Sequence, residues 1–380
     1  MVTAMGVALA ADARFPEQEK DSKPIRDEQY RQMDRYFTAL IDQADHKRIE
    51  YWKKLDYSSP AAYDRAVQPY RDDWARYIGV PDTSGVPLQP RREKLAEFQD
   101  STAYRVWIQT LPGVQAYGIL LLPRKTAGRS PALIALHGVQ GTPEFVAGIA
   151  PEPGNRDSVY RTFARTAAQR GYVVWCPFIY NHYSEEREPR EGPAATGRDI
   201  LHKKAILTGR TLMGLEVAKI RRAVDYLSTL AEVDPRRIGM YGLSKGGHYT
   251  LYTAPIETRI QAAVVSGWFN HRKRKLLAPA NGPGMFWMTH IHRSEYYLPD
   301  LLDRFSDAEL GWMIAPRAVM IENGTEDGAV LINDARAEFG RVTSVFERLA
   351  LKEKAGFASF AGPHRIDGDE AFRFLDRWLK

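Results

Sequence analysis

A single cysteine, Cys176, stands in the whole chain, so no disulfide can form within it. It ends the apolar run Val173-Val174-Trp175, the setting of a buried structural thiol rather than a reactive one. No stretch approaches the roughly 20 continuous apolar residues that a membrane span needs, so none is expected. The phosphate-cradling pattern G-x-x-x-x-G-K-[ST] is missing, and so is the zinc pair H-E-x-x-H. His290 and His292 come nearest to a ligand pair, but no cysteine accompanies them; neither a metal nor any other cofactor is expected. Internal repeats and low-complexity tracts are also lacking. The net charge of +6 comes without a helix-turn-helix, zinc-finger or RNA-binding signature. It therefore reads as a mildly basic surface, and nucleic acid is not an expected partner. What is present is 44% hydrophobic and 26% charged residues over 380 positions, the composition of one large globular domain with added segments.

Positive charge is missing at the N-terminus as well, since no Lys or Arg precedes Arg14. Val2 to Ala11 is small and apolar, and Ala8-Leu9-Ala10 looks like an A-x-A cleavage site. Residues 1–20 are expected to be a leader resembling a truncated signal peptide, and the chain to be periplasmic or secreted. A disordered leader on a cytoplasmic protein is the alternative.

Residues 21–90 are expected to form a helical segment. Tyr30, Met33, Phe37, Leu40 and Ile41 recur at helical spacing. Tyr51, Trp52, Leu55, Trp74, Tyr77 and Ile78 make its apolar face so aromatic that it must pack on the following domain. Pro81 to Pro90 reads as a linker. Over residues 91–380 strands begin with an antiparallel pair, Tyr104 to Ile108 and Ala116 to Leu122, around the turn Leu111-Pro112-Gly113. Ala132 to Leu136, Tyr172 to Cys176, Ile238 to Leu243, Ala262 to Ser266, Ala318 to Ile321 and Phe357 to Phe360 follow as buried strands alternating with helices. The pattern predicts an α/β fold: a mostly parallel sheet of about eight strands, flanked by helices. Residues from about 177 to 210 are rich in charge, Gly and Pro, and are expected to form a lid-like insertion.

Gly242-Leu243-Ser244-Lys245-Gly246 is a G-x-S-x-G set between a strand and a helix. In that context the serine sits on a sharp turn with its hydroxyl above the sheet, so Ser244 is the candidate nucleophile. A serine needs a base, and His364 lies on the loop after the last strand. An acid should come between them, after the penultimate strand. Glu322, Glu326 and Asp327 are available there, and Asp327, just beyond the turn at Gly324, is the best placed. The oxyanion needs two backbone N–H donors. Lys245 is expected to give one. Val139, in the loop His137-Gly138-Val139-Gln140-Gly141, is expected to give the other, with Gln140 as runner-up.

These motifs, together with Asp234-Pro235-Arg236-Arg237-Ile238-Gly239 and Gly362-Pro363-His364, resemble the α/β-hydrolase superfamily, in particular its acetyl xylan esterase and dienelactone hydrolase-like group. The resemblance runs from about residue 100 to the C-terminus and implies an α/β-hydrolase fold with a Ser-Asp-His triad. Dienelactone hydrolases carry cysteine at the elbow, so Ser244 departs from that activity.

Three further residues are expected near substrate: Gln140, Trp268 as an aromatic platform, and Arg272. Arg272 belongs to the basic run His271-Arg272-Lys273-Arg274-Lys275, read either as a solvated surface or as a site for acidic substrates. Asn323-Gly324-Thr325 spells a glycosylation sequon, unattractive beside the acid. The chain is expected to be a serine carboxylic ester hydrolase that takes a small-molecule ester through an acyl-enzyme, carbohydrate esters among them. The rivals are a prolyl-oligopeptidase-like peptidase, for which the propeller is missing, and a hydrolase-fold protein that binds without turnover.

Overall fold

The computed structural model describes residues 16–124, 128–139, 141–151, 159–180, 197–277 and 294–380. Most of the expected leader, residues 181–196 of the lid-like insertion, and Gln140, His290 and His292 lie outside them. A nine-stranded sheet runs through the molecule in the order β1-β2-β3-β5-β4-β6-β7-β8-β9. β1 (Arg91–Glu97), β2 (Ser101–Leu111), β3 (Val114–Pro123) and β5 (Val173–Pro177) pair antiparallel in sequence. β5 then pairs parallel with β4 (Ser130–Leu136), followed by β6 (Val233–Leu243), β7 (Ile260–Ser266), β8 (Ala318–Gly324) and β9 (Ala355–Phe360), all parallel. The fold is the expected α/β arrangement, with one strand more than the sequence pattern gave.

That extra strand is β1, Arg-Arg-Glu-Lys-Leu-Ala-Glu, which is largely exposed. Nothing in it alternates apolar with polar, so periodicity could not reveal it. It is held by backbone pairing to β2, and Arg91 and Arg92 lie over the rings of Trp107 and Tyr104. A charged edge strand also protects the sheet from pairing with other chains. The central strands β4 and β5 are buried along their whole length, as parallel strands covered on both faces must be.

Helices cover both faces. On one side α3 (Phe163–Gln169) and the C-terminal α10 (Asp369–Leu379) pack Phe163, Ala167, Phe372 and Leu375 against Tyr241 and Leu133 of the sheet. On the other lie α5 (Leu212–Thr229), α6 (Lys245–Thr253), α8 (Asp307–Ile314) and α9 (Ile332–Arg348), with Val217, Ile220, Leu251, Phe339 and Phe346 in the larger core. Between these, α4 (Gly197–Leu207) and the short α7 (Arg272–Leu277) follow β5 and β7 respectively.

The N-terminal segment is two helices, α1 (Lys23–Tyr51) and α2 (Pro60–Tyr77). Ser59 caps α2, its side chain accepting from the Ala62 N–H, and Pro60 occupies the first turn. Trp52, Tyr63, Tyr70 and Trp74 bury themselves in the larger core. The two indole N–H groups find backbone carbonyls of the sheet domain: Trp52 Nε1 donates to Arg304 O at 2.6 Å and Trp74 Nε1 to Tyr252 O at 3.1 Å. Among the described residues no helix is long and apolar enough to cross a membrane.

Candidate active site

Ser244, Asp327, His364 and the loop after β4 lie at the C-terminal ends of β6, β8, β9 and β4, with the end of β7 among them, the edge where parallel α/β sheets bind ligands. β6 ends at Leu243 and α6 starts at Lys245, leaving Ser244 alone to turn the chain. Its backbone is left-handed, φ 58° and ψ −118°, a strained conformation for a residue with a side chain. The neighbours show why glycine flanks it. A Cβ at Gly242 would lie 2.3 Å from Gly246 O, and one at Gly246 would lie 2.3 Å from Leu136 O. The turn is pinned by two backbone bonds, Ser244 N to Ser266 O and His248 N to Ser244 O, each 2.8 Å.

His364 follows β9, and its Nδ1 lies 2.7 Å from Asp327 Oδ2. With Nδ1–H donating to that carboxylate, Nε2 keeps its lone pair and can accept a proton. Asp327 is buried and its other oxygen accepts from Ala329 N at 2.8 Å, so the carboxylate is fixed from both sides. The imidazole rests on Gly267, where a Cβ would come within 2.8 Å of His364 Cε1. Gly267 also has φ 60°, so both its backbone and its neighbour demand glycine. Ser266 thus holds the Ser244 N–H while the next residue carries the His364 ring.

The other two carboxylates stand apart from the imidazole. Glu326 is exposed, with its N–H on Gly362 O at 2.9 Å. Glu322 is buried and accepts from Tyr241 Oη at 2.7 Å, Ser266 Oγ at 2.8 Å and Gly368 N at 2.9 Å.

The loop after β4 passes over the elbow, and a Cβ at Gly138 would lie 3.1 Å from that of Ser244. The Gly138 N–H donates to Tyr160 Oη at 3.0 Å, and Gly141 N closes a turn onto Gly138 O at 3.1 Å. The Gly138 N–H is thereby engaged within the protein. His137 below them is buried, and burial pushes its pKa down to about 3. Its Nε2 accepts from Ile179 N at 3.0 Å, which fixes the tautomer, so Nδ1 donates to Gly138 O at 2.8 Å. Lys245 stands at the first position of α6, where backbone N–H groups have no partner within the helix. Its side chain points inward, Nζ donating to Tyr180 O at 2.8 Å.

Trp268 and Arg272 are not presented as substrate contacts. Trp268 is 4% exposed and stacks on the buried His248 ring at 4.5 Å, forming the aromatic layer behind the elbow with Tyr296. Arg272 requires a correction. Its guanidinium is buried, donating to Asp307 Oδ1 at 2.6 Å and to Tyr252 Oη at 2.8 Å. Lys273 is paired with Asp42 and Asp45 of α1, and Arg274 with Asp334 of α9. The run forms a short helix rather than a loop, and a carboxylate answers each of these three cations. Three contributors escaped the sequence reading: Tyr160, Gly267 and the internal role of Glu322. Only Gly267, a glycine directly after a strand end, left a signal. Among the described residues no group of three or more His, Cys, Asp or Glu is placed to hold a metal ion.

Residues 132–282 match the model of the dienelactone hydrolase family. The chain is 26% identical over 310 residues to YtaP of Bacillus subtilis (strain 168), a protein provisionally named a hydrolase; the match covers 80% of this chain and 97% of YtaP. Among solved structures, a protein of Bacteroides fragilis NCTC 9343 provisionally described as an acetyl xylan esterase superposes with a TM-score of 0.65 at 15% identity, covering 88% of each chain. A glucuronoyl esterase from Solibacter usitatus superposes with a TM-score of 0.59 at 13% identity, covering 83% of this chain and 94% of that one. Sheet order and elbow agree with these likenesses, and the chain has the α/β-hydrolase fold.

Proposed function

We propose that the chain is a serine carboxylic ester hydrolase acting on small acyl esters, carbohydrate esters among them. The observation that carries this reading is the pair His364 Nδ1···Asp327 Oδ2 at 2.7 Å, set on Gly267 beside the strained Ser244. Ser244 attacks the ester carbonyl while His364 Nε2 takes its proton. Asp327 holds the imidazole in the required tautomer and stabilises it once charged. The N–H groups of Val139 and Lys245 receive the oxyanion, a type of contact worth about 10²–10³ in kcat per donor. His364 then protonates the leaving alcohol and activates the water that cleaves the acyl-enzyme. The acetyl xylan and glucuronoyl esterases among the structural relatives favour carbohydrate esters as the first substrates to try. The apolar segment Val2 to Ala11 supports an exported protein.

The test is hydrolysis of aryl acetates, acetylated sugars and uronate esters beside aminoacyl amides. Turnover of esters, abolished by Ser244→Ala in a folded protein, is expected. Preference for the amides would favour the peptidase reading, and no turnover together with no covalent labelling would favour a binding protein.

A further inference from the structure

Glu322 is a buried carboxylate beside the triad to which the reaction assigns nothing. We propose that Glu322 is a positioning residue that ties together the three segments bearing Ser244, Asp327 and His364, an inference that rests on the esterase reading above. Its first arm reaches the nucleophile. Tyr241, three residues before Ser244 on β6, donates its hydroxyl to Glu322 Oε2 at 2.7 Å. Ser266 Oγ donates to the same oxygen at 2.8 Å, while Ser266 O accepts the Ser244 N–H at 2.8 Å. The second arm reaches the base. Gly368 N donates to Glu322 Oε1 at 2.9 Å and Asp367 N to Oε2 at 3.5 Å, at the start of α10 and just beyond His364. The third arm is the backbone. Glu322 O accepts Gly267 N at 2.9 Å, Asn323 Oδ1 accepts it at 3.1 Å, and Gly267 is the residue on which the imidazole rests. From Asn323 the chain runs through the turn at Gly324 to Asp327.

Each of the four groups that Glu322's carboxyl meets in these bonds brings a hydrogen, so an acceptor-only carboxylate fits the position and an aliphatic residue does not. Burial pushes its pKa up, while Tyr241, Gly368 and Ser266 pull against that shift. The start of α10 adds a favourable dipole to any negative charge held there. Beneath the loops rather than among the reacting atoms, Glu322 acts on rate through geometry. Misplacing a reacting group by about 1 Å costs on the order of 10²-fold.

The experiment compares the parent with Glu322→Leu, Glu322→Gln and the double variant Tyr241→Phe, Ser266→Ala. It measures kcat and KM on an aryl acetate, and the low-field proton resonance of His364 Nδ1–H. In folded Glu322→Leu, kcat should fall about 100-fold with KM changed less than about 3-fold, and the resonance should move or broaden. Glu322→Gln keeps an acceptor for Gly368 N and can donate to the two hydroxyl oxygens, so it should recover to within about 10-fold of the parent. If Glu322→Leu does not fold, the double variant decides: it removes the nucleophile arm alone and should lose about 10-fold. Folded variants with kcat within about 3-fold of the parent and an unmoved resonance would overturn the proposal. Because the resonance reads the His364–Asp327 pair without turnover, an inactive parent would sink the esterase reading while the resonance still decides on the tie.

Discussion

Asp327 and Glu326 are adjacent in sequence and opposite in environment. Asp327 is buried with both oxygens bonded, one of them by His364, whereas Glu326 is exposed. Asp327→Asn should therefore leave the fold intact and cut kcat by up to about 10⁴-fold, because an amide favours the wrong imidazole tautomer. Glu326→Gln should change kcat less than about 3-fold, as surface substitutions do. Steady-state rates on one ester check both, and a reversal would move the acid to Glu326. Lys275 offers a second test near the same acid. Burial lowers its pKa to about 7 against the pull of Asp307 and Asp327, and its Nζ donates to Ala329 O. The unfolded chain holds a lysine proton up to about pH 10.4. Between these values it binds more protons than the native state, so the stability contributed by this group rises with pH. The slope is at most about 1.4 kcal/mol per pH unit. Below about pH 7 the full cost of burying the charge is present. Lys275→Met should flatten the rise in urea-unfolding stability between about pH 7 and 10; identical slopes in parent and variant would contradict it.

Among the elements, α7 shows what its sequence concealed. Its run of basic residues reads as surface, yet the helix is pinned between α1, α8 and α9 by carboxylates far away in the chain. No local pattern announces partners at such separations. Arg272→Ala would leave Asp307 buried without this partner and should cost about 3–5 kcal/mol in denaturant unfolding. It should not change the ratio of kcat/KM between a neutral ester and its carboxylated match. A loss confined to the carboxylated ester, with stability unchanged, would restore the anion-site reading. The buried strands were legible because continuous apolar runs between turn residues have few other meanings, and Gly242 to Gly246 was legible because strand, turn and helix agree around it. β1 was not, since an edge strand can be held by backbone bonds with no apolar face. The break between α1 and α2 was also blurred, because Trp52 and Leu55 continue the apolar pattern through it.

On the scale of the whole molecule, the parallel sheet gathers loops that are distant in sequence at one edge. Ser244 follows β6, Asp327 follows β8 and His364 follows β9, with the end of β7 between them supplying Ser266 and Gly267. Order along the chain could name these residues, but it could not show that Gly267 seats the imidazole or that Tyr160 holds the Gly138 N–H, because both depend on side chains meeting across loops. The central claim is that this edge activates Ser244. The most direct measurement is labelling of the full chain with a fluorophosphonate, followed by mass-spectrometric location of the adduct. The account predicts one adduct, on Ser244, lost in Ser244→Ala and slowed by orders of magnitude in His364→Ala. An adduct on another residue, or none on a folded protein, would contradict it.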